Sequence, residues 1–229
     1  MKRAELLVPM ILLLSALSGV PVVYVQGAQG QEDISDQAIF DDKQLLDGYA
    51  QKYRGLPQEV IVEMLKDDTL NSYQVAAVIR VYKEKYSNEA VAREKAQMEK
   101  ILIRRLKLTD SPFVEVEILH TLCRMDRYRY FDAMVPALIQ KLNHYNAAVN
   151  EMAFDSINDI IGQGNKRARE ARVVFNTLRK MLFLSRNRLV NVIEPDPKLA
   201  NKLKLLRWSV KVLGSQELNK LPREVIILL

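Results

Sequence analysis

Cysteine is nearly missing from this sequence. Cys123 is the only one in 229 residues, so no intrachain disulfide can form and stability has to come from packing. Together with two histidines, His120 and His144, that thiol does not make a His/Cys zinc site of the usual spacing. The sequence points to no metal, no cofactor and no small-molecule substrate. No Asn-Xaa-Ser/Thr acceptor occurs, which leans towards a bacterial envelope rather than a eukaryotic secretory route. Glycine is scarce: beyond residue 30 there are only Gly48, Gly55, Gly162, Gly164 and Gly214. Alternation of apolar and polar residues over strand lengths is absent, whereas the 3.6-residue helical period recurs. A disulfide scaffold and a sheet protein are excluded, and the fold class that remains is all-α.

The first 30 residues stand apart. Lys2 and Arg3 precede an almost unbroken apolar run from Leu6 to Val25, and small residues follow at Gly27, Ala28 and Gly30. That order is the layout of a secretory signal peptide, with cleavage after Gly30 or Gly27. The competing reading is an uncleaved N-terminal anchor, since about 20 apolar residues span a bilayer; Gly19 and Pro21 favour removal. No cysteine follows the run, which excludes a lipid-anchored lipoprotein. The expected location is periplasmic or extracellular, with inner-membrane anchoring as the alternative.

The formal charge of +6 conceals an asymmetry. Residues 31–165 carry 17 basic and 22 acidic side chains, a net of −5, and residues 166–229 carry 15 and 5, a net of +10. Such a split bears on partners rather than on fold.

The apolar period predicts helices near 41–53, 57–66, 72–86, 89–107, 112–125, 131–142, 147–161, 167–184, 197–213 and 216–228. Ser111-Pro112 and Asp196-Pro197 read as an N-cap followed by the first helical residue. The stretch "QEDISDQAIFD" (31–41) is an acidic arm. Within the helical region a pattern repeats: "SPFVEVEILHTLCRM" (111–125) overlays "NAAVNEMAFDSINDI" (146–160) without gaps. Val114 then meets Val149, Leu119 meets Phe154, Leu122 meets Ile157 and Met125 meets Ile160. A weaker copy starts near "SYQVAAVIRVYKEKY" (72–86), and "KLKLLRWSVKVLG" has a similar flavour. The helix over 112–125 is apolar on two sides, through Val114, Ile118, Leu122 and Met125 and through Val116, Leu119 and Cys123. It is therefore expected in the middle of a stack.

The segment "AMVPALIQKLNHYNAAVNEMAFDSINDIIG" (133–162) resembles a HEAT-repeat (armadillo-like) junction. Val135 to Leu142 match the helix of the type V-P-A-L-I-x-x-L that ends one repeat, and Val149, Ala153, Ile157 and Ile161 match the next. The turn "NHYN" and Asn150 depart from that family's frequent Asp, Pro and Arg. The resemblance covers 111–184 best and is weakest before residue 57. It implies a right-handed α-solenoid of about four helical hairpins, in which stacked repeats share one core. With the leader and the acidic arm, the organisation is a signal peptide or anchor at 1–30, an acidic arm with N-terminal capping helices at 31–70, and HEAT-like repeats at 71–229.

Candidate chemistry reduces mostly to packing. Gly162 and Gly164 precede a basic helix, but neither a P-loop nor a Rossmann pattern surrounds them. They read as an interhelical turn with a left-handed glycine cap. His120 and Cys123 lie three apart on a helix expected to be buried, where an active thiol has no access. Asp155 and Asp159 share one helix face and read as a solvent stripe, while Trp208 reads as terminal core. Two basic ridges stand out at about 100° per residue: Arg169, Arg172, Arg179 and Lys180 on one helix, and Lys204, Arg207 and Lys211 on the next. Clustered charge of one sign steers association. The expected function is a non-enzymatic, exported protein-interaction scaffold with a protein partner, acidic if it meets the basic face. The alternative is a binder of an anionic polymer or surface (nucleic acid, acidic polysaccharide, lipid headgroups), with membrane attachment only if the leader persists. The apolar terminus should be covered, with Leu221, Val225 and Leu228 facing Leu206, Val210 and Leu213.

Overall fold

Helix caps written into the sequence set half of the helix starts in the computed structural model, which describes residues 41–163, 167–190 and 192–229. The proposed leader, most of the acidic arm and Gly164 lie outside the described residues. Among the described residues ten α-helices follow one another: α1 (Asp42–Tyr53), α2 (Gln58–Met64), α3 (Ser72–Lys85), α4 (Ala92–Leu108), α5 (Pro112–Met125), α6 (Arg127–Lys141), α7 (Ala147–Gly162), α8 (Ala168–Ser185), α9 (Pro197–Leu213) and α10 (Arg223–Leu228). Short 3-10 turns lie at Arg186–Arg188 and Ser215–Lys220. No strand occurs among the described residues, and the chain is all-α.

Side-chain oxygens of Asp41, Asn71, Asp126, Asn146 and Asp196 accept backbone N–H groups at the starts of α1, α3, α6, α7 and α9. Each satisfies donors that a helix N-terminus leaves unpaired. Asp126 explains why α6 begins at Arg127, four residues earlier than its apolar period predicts: its carboxylate accepts from the Arg129 N–H at 3.0 Å. Ser111 precedes α5 as expected but makes no side-chain cap. Pro136 lies inside α6 rather than at a helix start. The predicted last helix divides into the 3-10 turn and α10 at Pro222, which brings no N–H to continue a ladder. Gly214 ends α9 with a positive φ of 107°, whereas Gly162 stays helical and supplies no left-handed cap.

The helices sort into two layers by contact. Helix α1 packs on α3, α3 on α5, α5 on α7 and α7 on α9, while α2, α4, α6 and α8 cover that row. Residues 41–229 form one compact unit with a continuous apolar core from Leu46 to Val225, as independent folding requires. Helix α5 lies at its centre against α3, α4, α6 and α7, and every side chain from Val116 to Cys123 is buried. Among the described residues no helix is long and apolar enough to cross a membrane.

The row formed by α1, α3, α5 and α7 is bent. Lys43 on α1 donates to Glu151 on α7 at 2.7 Å, although two helices stand between them in the row. The Asp42 carboxylate accepts from Asn146 and from the Tyr73 hydroxyl, both at 2.5 Å. These ties bring the starts of α1 and α7 together across a cleft.

Candidate functional site: a charged cleft

A carboxylate and an imidazole in the middle of a buried helix need partners, because an unpaired polar group away from water is costly. Glu117 and His120, on α5, find theirs on the neighbouring helices. Glu117 accepts from Arg80 Nε at 2.7 Å and from Lys83 Nζ at 2.8 Å, both on α3. Lys83 also donates to His120 Nδ1 at 2.9 Å, and His120 Nε2 meets Asp159 of α7 at 2.7 Å. Asp47 of α1 pairs with Arg80 at one end. Gln163 donates to Asp159 at 2.7 Å, and Arg124 stands 3.6 Å from it, at the other end. One ladder of ionisable groups thus crosses four helices, along the wall of a cleft of about 520 Å³.

The bonding fixes protonation. Lys83 is a donor only, so His120 Nδ1 accepts and its proton sits on Nε2, given to Asp159. Burial and the Lys83 ammonium lower the His120 pKa, and the imidazole is neutral. Burial opposes ionisation of Glu117, but Lys83 and Arg80 overcome it and hold its carboxyl at about 2. The hydrogen bond from His120 is the main reason Asp159 also falls to about 2. Asp155, one turn earlier on α7, is raised by burial and by Glu151.

With both ring nitrogens engaged, His120 offers no free base. Cys123 lies 2 % exposed and its thiol is pushed up to about 12 by burial; His120 bonds to Lys83 and Asp159 instead. Among the described residues no group of three or more His, Cys, Asp or Glu side chains is placed to hold a metal. Fixed donors and acceptors line the wall, and Lys43, Asp47, Arg54 and Asp155 edge it. Asp155 and Asp159, expected on an open solvent stripe, belong to this cleft.

The seven predicted basic residues are shared between the layers, four on α8 and three on α9. Arg169 pairs with Asp132 of α6, and Arg172 reaches buried Glu217 at 2.7 Å. Arg179 lies over the Phe175 ring and Lys204 over the Phe154 ring, at 5.9 and 5.3 Å. Arg207 donates to the carbonyls of Leu229 and Leu228 at 2.8 and 2.9 Å, holding the chain terminus. Lys180 and Lys211 are exposed. Charge count and helical period mark this half of the chain, whereas the charges of the cleft are spread over α1, α3, α5 and α7. The signal that was available is Glu117 and His120, set one helical turn apart between two apolar stripes. No family model, curated protein or solved structure matches the chain.

Proposed function

We propose that the chain is an exported, non-enzymatic interaction scaffold, a HEAT-like α-solenoid whose bent row of α1, α3, α5 and α7 seats a segment of a partner protein. The observation that carries this reading is the Arg80–Glu117–Lys83–His120–Asp159 ladder along the cleft. Its groups are positioned by packed helices before any partner arrives, so little side-chain entropy is lost on binding. Small-molecule pockets are mostly apolar; this wall is mostly ionic, and both signs are present. It suits an extended polar segment with mixed charge. The edge residues Lys43, Asp47, Arg54 and Asp155 make the discriminating contacts, and the buried ladder fixes the floor.

The test is site-specific photo-crosslinking in the exporting host, with the probe at Gln51 on the cleft wall. One discrete adduct is expected, lost in the Arg54→Glu/Asp155→Lys variant without a change in melting temperature. An adduct indifferent to that variant, but lost on Lys204→Glu/Lys211→Glu, would move the contact to the basic half and overturn the cleft reading.

A further inference from the structure

The end of α8 carries apolar side chains that the fold turns outward. Phe183 and Leu184 in its last turn are 51 % and 77 % exposed, and Val190 and Ile193 beyond it are 63 % and 98 % exposed. The segment is anchored. Leu189 is buried and Val192 packs against the core, while the Leu189 and Val192 N–H groups donate to the carbonyls of Arg186 and Leu189 at 2.9 and 3.2 Å. Inward and outward side chains alternate, so the fold itself sets the exposure of Val190 and Ile193.

Cations frame these tips. From residue 171 to 193 the sequence has no Asp or Glu, and Arg179, Lys180, Arg186 and Arg188 stand in that stretch. None of the four makes an ion pair among the described residues, in contrast to Arg169 and Arg172 on the same helix. Arg186 lies 4.2 Å from the Phe183 ring centroid and donates to the Phe183 carbonyl at 3.1 Å. Glu194 is the nearest acid in sequence, and the Asp196 carboxylate is occupied in capping α9.

We infer that this patch docks on an anionic lipid bilayer, with Phe183, Leu184, Val190 and Ile193 entering the headgroup–acyl boundary while Lys180, Arg186 and Arg188 meet lipid phosphates. Apolar tips amid cations that make no ion pair among the described residues fit that interface, where hydrophobic burial and headgroup attraction add. A nucleic acid fits less well, because three of the four tips are aliphatic and the one ring, Phe183, already carries the Arg186 guanidinium. None of these residues lines the charged cleft, so a bilayer-bound molecule keeps the cleft free, and the inference stands independently of the scaffold reading.

Co-sedimentation of the 41–229 unit with phosphatidylcholine vesicles, with and without phosphatidylglycerol, tests it. Binding is expected only when the anionic lipid is present. Leu184→Ser/Ile193→Ser and Arg186→Ala/Arg188→Ala should each weaken it on the order of tenfold, with little change in melting temperature because Leu184, Arg188 and Ile193 are exposed and Arg186 is only half-buried. A Trp208→Phe/Ile193→Trp chain should show a blue-shifted emission on adding those vesicles. Absence of sedimentation, or sedimentation indifferent to the serine variant and without the blue shift, would overturn bilayer insertion. In the second case the attraction is electrostatic only.

Discussion

Glu117 concentrates the physics of the interior in one residue. Its side chain is 3 % exposed and balances two cations, Arg80 and Lys83. Breaking such a pair leaves uncompensated charge in the core, which costs about 3–5 kcal/mol. Glu117→Gln should therefore destabilise by that amount in chemical denaturation, although the volume is unchanged. The same residues set a pH dependence. Glu117 and Asp159 are held near 2 from ordinary values of 4.5 and 3.8, so their contribution is complete above those values and is lost as pH falls towards 2. His120 is lowered from 6.5; the unfolded chain takes its proton first, so this contribution too is lost as pH drops below 6.5. Melting temperature should decline on acidification from about pH 6.5 and more steeply below 4.5. In His120→Gln the first part of that decline should disappear. A decline unaltered in that variant would show that His120 is not the titrating group.

At the scale of elements, the internal repeat between α5 and α7 has a packing counterpart. Val114 and Val149, Leu119 and Phe154, and Leu122 and Ile157 are buried in both helices; Met125 is only partly covered where Ile160 is buried. Leu119→Ala and Phe154→Ala should each cost about 2–5 kcal/mol through the cavities they leave. Asp155→Ala should cost well under 1 kcal/mol, since its only role in the fold is at the cleft edge. Chemical denaturation of the three variants checks the order. The departures from the HEAT pattern are also legible in the packing: Asn150 is buried and donates to the Leu142 carbonyl, tying α7 to the end of α6.

Across the whole molecule, the terminus "LPREVIILL" is covered only in part, since Ile226 and Ile227 are exposed. Leu221 and Val225 are buried, and Leu228 and Leu229 pack against the same core as Leu206, Val210 and Leu213. Glu217 sits between Arg172 and Lys220, and Arg207 clasps the last two carbonyls. Deleting 222–229 should therefore lower the melting temperature of the 41–229 unit, read by circular dichroism. An unchanged melt accompanied by lost partner binding would make the tail an interaction element instead. For the leader, intact mass of protein recovered from the exporting host is expected to begin at Ala28 or Gln31; a mass retaining Met1 would make the segment an anchor.

The sequence by itself determined the helical class, most helix starts and the central place of α5. These follow from local rules: period, caps and the two-sided apolar pattern of residues 112–125. Tertiary structure alone decided the cleft, because Asp47, Arg80, Glu117 and Asp159 lie more than thirty residues apart in the chain and only the packing of their helices brings them together. It also decided which cations are paired. Arg169 and Arg172 are neutralised by carboxylates from other elements, whereas Arg186 and Arg188 stand beside apolar tips and make no ion pair among the described residues. A charge count along the chain treats all four alike, and only the packing of helix against helix tells them apart.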